Sequence, residues 1–147
     1  MVNGRCHFIL GILLSLVVGT PQADEFAVGK ALKTLLIAEH LRGALLQSEC
    51  KTEMGPTELR FLRNNQMHPA ITALQQRLSA SDHALFRRLA QSAEHQAQLR
   101  RLEQTYISDN IGATRDGSLS FACGKAFQQV SEVMQRANLA NREAQTR

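Results

Sequence analysis

A chain of 147 residues carries 17 Lys and Arg against 13 Asp and Glu, for a net charge of +4, with three cysteines, one tyrosine and no tryptophan. That length builds one hydrophobic core and not two. The mild charge excludes a dedicated nucleic-acid binder: the Arg87-Arg88 and Arg100-Arg101 pairs are interleaved with glutamates, lack stacking aromatics nearby and read as a solvated helix face.

The N-terminus opens with one positive charge, Arg5, followed by an apolar run from Phe8 to Val18 and then Gly19, Thr20, Pro21, Gln22 and Ala23 ahead of Asp24 and Glu25. Charge, short apolar core and small-residue exit, in that order, predict a cleaved signal peptide over 1–23, cut after Ala23 or alternatively after Gly19. The run is shorter than the about 20 apolar residues of a membrane span, so no stable span is expected. Cys6 precedes the apolar core and leaves with it, which removes the cysteine that a lipoprotein needs at its cut. Cleavage takes Arg5 and no acid, leaving 24–147 as a single domain of net charge +3. The expected location is periplasmic or secreted.

After Ala23 the pattern is helical almost throughout. Val28, Leu32, Leu35, Leu36, Ile37, Leu41, Leu45 and Leu46 recur at helical steps and predict a long amphipathic helix from about 25 to 50. Gly55 stops it, and Pro56 opens a helix carrying Leu59, Phe61 and Leu62. The junction from Asn64 to Pro69 could read a polar ligand with its amides and His68, but Asn and Gln before proline more often cap and end a helix. Ile71, Leu74 and Leu78 continue at helical spacing, and Ser79 with Ser81 and Asp82 offers caps for a helix expected from about 82 to 107. There Leu85, Phe86, Leu89, Leu99, Leu102 and Tyr106 form one stripe for burial, with a thinly apolar middle at 92–98.

The stretch 108–120 holds Gly112, Gly117 and several residues that compete with helix hydrogen bonds, so it is expected to be the longest loop. Cys123, Phe127, Val130, Met134 and Ala137 line one face of a last helix, and a polar tail at about 138–147 is expected to fray. No segment alternates with the period of a strand. The fold class is therefore all-α, a bundle of four to five helices.

An exported chain meets an oxidising compartment, and two cysteines remain after cleavage. A Cys50–Cys123 disulfide is the default pairing, placed to tie the first helix to the last. Neither cysteine has flanks that mark a nucleophile beside His40 or His95.

No Cys-x-x-Cys-His, His-Glu-x-x-His, P-loop or Gly-x-Ser-x-Gly motif is present, so neither cofactor nor metal is expected and no catalytic residue is assigned. The remaining histidines, His40, His68, His83 and His95, do not pair at i and i+4 on a helix face. The best candidate for a partner contact is the 108–120 loop beside the disulfide, with Tyr106 at its base and Arg115 and Asp116 at its tip. The expected function is that of a non-enzymatic helical accessory or protein-binding protein, of secretion-accessory, chaperone or toxin-immunity type, whose partner is another envelope or secreted protein. The wide apolar face of 25–50 could be covered within the monomer or by a second copy in a homodimer.

Two resemblances bear on that reading. Ala38, Glu39, His40, Leu41 and Arg42 ahead of Cys50, and Cys123 ahead of Phe127, resemble the cysteine neighbourhoods of disulfide-stapled helical pilotins of type II secretion. The chain departs from them in lacking a lipidated N-terminal cysteine. In size, leader, disulfide use and a long first helix with basic residues it also resembles exported all-helical chorismate mutases. That alternative would need Glu39, Arg42, Gln47, Gln75, Arg77 and Glu103 to line a charged cavity, which orients a dianion without a nucleophile.

Overall fold

The computed structural model describes residues 7–113 and 118–146, with side chains from Glu25 onward. Among the described residues the chain is all-helical and has no strand. In chain order the helices are α1 (His7–Gln47), α2 (Cys50–Glu53), α3 (Pro56–Asn64), α4 (His68–Gln75), α5 (Ala80–Ala90) and α6 (Ala93–Glu103). A π-helical turn (Gln104–Ser108), α7 (Asp109–Gly112) and α8 (Leu119–Gln145) follow. No helix among the described residues is long and apolar enough to cross a membrane.

The frame is α1 against α8. On α1 the buried residues Val28, Ala31, Leu32, Leu35, Ala38, Leu41 and Leu45 repeat mostly at three- and four-residue steps, so one stripe faces inward for about five turns. The facing stripe of α8 is small: Ala122, Ala126, Ala137, Ala140 and Ala144 are buried beside Val130 and Met134. Alanines let the two backbones approach closely while the leucines of α1 fill the space between them. Leu62 of α3 and Leu74 of α4 close the core, and Phe61 meets Phe127 edge to face at 5.8 Å. The disulfide joins Cys50 to Cys123, both buried, with Cα atoms 5.2 Å apart. The pairing is the expected one, but the bridge clamps α2, just past the C-terminal end of α1, to the first turns of α8.

Among the described residues the helices are more numerous than the expected four or five, although α1 and α8 run longer than expected, and two of the added breaks fall at serines. Ser48 Oγ donates to the Leu45 carbonyl at 2.7 Å and accepts from the Cys50 N–H at 3.2 Å, ending α1 and starting α2. Ser92 repeats the device between α5 and α6, donating to Leu89 O at 2.7 Å and accepting from His95 N at 3.2 Å. A hydroxyl that offers the backbone an alternative partner breaks a helix that apolar periodicity alone would continue.

The expected loop at 108–120 is helical in its first part. Asn110 Nδ2, counted as a helix competitor, donates to Tyr106 O and to Gln129 Oε1 of α8, each at 2.7 Å, and Ile107 is buried. These contacts hold α7 down on α8. Arg115 and Asp116 lie outside the described residues. The segment expected as a polar tail is the end of α8, running to Gln145, with Ala144 buried and its carbonyl accepting from Arg77 Nη1 at 2.7 Å. The apolar positions there are alanines, which carry little weight in a hydrophobic pattern yet fit the tight seam.

At the start of α8, Ser118 Oγ accepts from the Phe121 N–H at 3.1 Å. Ser118→Ala is expected to cost about 1 kcal/mol, read from the urea midpoint. An unchanged midpoint would show that this cap contributes nothing.

Candidate functional site

Glu39 and Arg42 sit one turn apart on α1 and meet as a charge pair. Arg42 Nε donates to Glu39 Oε2 at 3.0 Å, and Arg42 Nη2 donates to Glu39 Oε1. Arg42 is 9 % exposed and its Nη1 donates to the Leu62 carbonyl at 3.0 Å, while Glu39 Oε2 also accepts from the Met67 N–H at 2.8 Å. Burial by itself would raise the Glu39 carboxyl. The Arg42 hydrogen bond, the Met67 N–H, and the positive charges of Arg42 and His68 outweigh that and hold it below its ordinary value. The pair therefore fastens the end of α3 and the start of α4 to α1. Asn65 Nδ2 donates to Phe61 O at 2.8 Å, so one amide of the 64–69 junction caps the helix before it.

A cleft of about 790 Å³ opens between the second half of α1 and the 103–112 segment. Its polar lining is acidic, with Glu39, Glu49 and Glu103 around His40 and Gln47. His40 Nε2 lies 2.8 Å from Glu103 Oε2, with both side chains about a third or more exposed, a contact of small energetic value. Of the six polar residues that could have built a cavity for a dianion, this cleft gathers Glu39, Gln47 and Glu103, while Arg42 is bound within its own network and Arg77 holds Ala144. A carboxylate-lined cleft repels a dianion. Among the described residues no group of three His, Cys, Asp or Glu is arranged to hold a metal ion.

The apolar site lies further toward the N-terminus of α1. A groove of about 430 Å³ runs between the Glu25–Leu36 stretch of α1 and the α5–α6 pair. Leu32 and Leu36 form one wall, and Leu78, Leu85, Phe86 and Leu89 the other. The stripe on α5, expected to be buried, is not covered: α5 has no buried residue, and Leu85 and Leu89 are 46 % and 57 % exposed. Phe26 is 76 % exposed two turns before Lys33, another lining residue, and so on the same face of α1. Periodicity identified an apolar face on α5; it carries no information on what covers that face. Covering what remains exposed of these three side chains would gain roughly 1–2 kcal/mol each.

Glu25, Asp82 and Glu94 stand at the groove's edge with Lys33 and His95. Burial, then the charges of Lys33 and His40, lower the pKa of His95, which keeps it neutral at pH 7. Tyr106 is half-buried in the π-helical turn, packed against the core and away from this groove.

Fold and geometry together define an all-helical, disulfide-stapled domain with an apolar, acid-rimmed groove. No protein-family model matches the chain, and no curated protein or solved structure matches it either.

Proposed function

We propose that this chain is an exported, non-enzymatic helical accessory protein that binds another envelope or secreted protein, in the manner of secretion accessories, chaperones or toxin-immunity proteins. The observation that carries the reading is the groove: an apolar cleft in which two large side chains of one short helix, Leu85 and Leu89, stay exposed. A helix without a buried residue gains little from its own domain, and an 11-residue helix is marginal alone. A partner that covers α5 supplies the missing burial. The leader-like N-terminus and the disulfide support export, since a bridge of this kind persists in oxidising compartments.

The test is affinity capture from envelope extract by the oxidised protein, with the captured material identified by mass spectrometry. One stoichiometric partner is expected for the wild type. Leu85→Ser with Leu89→Ser is expected to lose it while the far-UV helical signal is kept, because neither leucine belongs to the buried core. Bare beads with the wild type would sink the reading.

A further inference from the structure

We propose that the groove takes a cationic amphipathic helix of another protein, its apolar stripe seated between α1 and α5 and Lys or Arg along its edges. The inference rests on the partner-binding reading and names the chemistry of the partner.

Shape argues for a helix. Both walls are helical and no strand occurs among the described residues, so there is no sheet edge to which an extended segment could add. Recognition falls to side chains. The lining positions of α1, from Glu25 through Gly29 and Leu32 to Leu36, span about 16 Å at 1.5 Å per residue, three turns of a facing helix. Gly29 leaves that floor open, with nothing within 4 Å of where a Cβ would stand, so a backbone can come close.

Charge argues for cations. The rim holds three carboxylates, Glu25, Asp82 and Glu94, against one ammonium, Lys33, and His95 is neutral at pH 7. Arg87 and Arg88 are exposed on other faces of α5 and do not line the groove. The rim is therefore net negative on a chain whose total charge is +4. A partner steered to this face carries positive charge beside its apolar stripe.

A second copy fits poorly. Among the described side chains the other exposed large apolar residues, Phe121 and Leu139, lie about 27 Å apart along α8 and form no stripe. Groove-to-groove pairing would set both acidic rims face to face, and like charges across an interface are unfavourable.

The experiment uses the oxidised protein purified from cells expressing the full chain, its N-terminus read by mass spectrometry. The probes are three labelled peptides of about 15 residues: one with leucines at helical spacing flanked by lysines, a twin with glutamate for lysine, and a scramble of the lysine peptide. Binding is read by fluorescence anisotropy at low and high salt. The lysine peptide is expected to bind at least about tenfold tighter than either control, with the margin over the twin shrinking in salt. Leu85→Ser with Leu89→Ser should weaken it about tenfold or more, and Glu25→Lys with Glu94→Lys should reverse the preference between twins. Equal binding of the twins or of the scramble overturns the proposal. So does a wild-type dimer in sedimentation that the leucine variant converts to monomer. Capture of a partner that still depends on Leu85 and Leu89, with no preference between twins, removes the charge assignment and leaves the partner-binding reading standing; failed capture removes that reading itself.

Discussion

Reducing the Cys50–Cys123 bridge is expected to cost the protein about 4 kcal/mol of stability, the largest effect available to any single bond in this fold. The two cysteines are 73 residues apart, and the closed loop contains everything from α2 to α7. Opening it gives the unfolded chain freedom that the folded chain never has, so the loss is mostly a gain for the unfolded ensemble. Domains of this size are stable by roughly 5–15 kcal/mol, so reduction removes a large share without removing the core. The folded state should keep its helices, because α1 and α8 are held by a continuous apolar seam and the bridge clamps only one end of it. The check is a pair of urea titrations, oxidised and with reductant, followed by far-UV circular dichroism. The expected result is superimposable spectra in buffer and a midpoint displaced by the equivalent of about 4 kcal/mol. A displacement worth under about 1 kcal/mol would show that the reduced unfolded chain keeps the α1–α8 contacts.

The cysteine pair was legible because setting Cys6 aside with the expected leader leaves one pairing, and the α1 stripe because leucines at helical steps are a strong signal. The all-helical class followed from the same periodicity. What escaped the pattern was decided by hydroxyls, amides and methyl groups. Ser48 and Ser92 end helices by bonding the backbone, Asn110 joins a helix by reaching Gln129, and Ala140 and Ala144 are buried because α1 leaves room only for methyl groups. The site was least legible. Leu85, Phe86 and Leu89 were visible as a stripe, but whether a stripe meets the core or solvent depends on where the break at Ser92 sends α5. Glu39 and Arg42 were visible as charges on α1. Their use depends on the Leu62 carbonyl and the Met67 N–H, backbone groups 20 and 28 residues away that no side-chain pattern names.

Arg42→Ala is expected to cost about 2–3 kcal/mol at pH 7, and the size of that loss should depend on pH in a defined direction. Arg42 and Glu39 side chains are 11 % and 28 % exposed. Removing the guanidinium leaves a half-buried carboxylate with only the Met67 N–H as partner and takes a donor from Leu62 O. A fully buried pair broken this way costs roughly 3–5 kcal/mol, and partial solvation of Glu39 brings the figure down. In the wild type the folded protein holds Glu39 below its ordinary pKa of 4.5, so it binds fewer protons than the unfolded chain. That stability is present above about pH 4.5 and is lost as pH falls through the lowered folded value. In the variant the carboxyl loses the lowering by the arginine and sits above its wild-type position, so acidification costs the variant less than it costs the wild type. Both changes shrink the difference between the two proteins as pH falls. Chemical denaturation at a series of pH values from 7 to below 4 should thus give curves that converge in acid, and Glu39→Gln should lack the wild-type loss. A deficit that stays constant with pH would assign the role of Arg42 to the packing of its aliphatic stem and not to its charge.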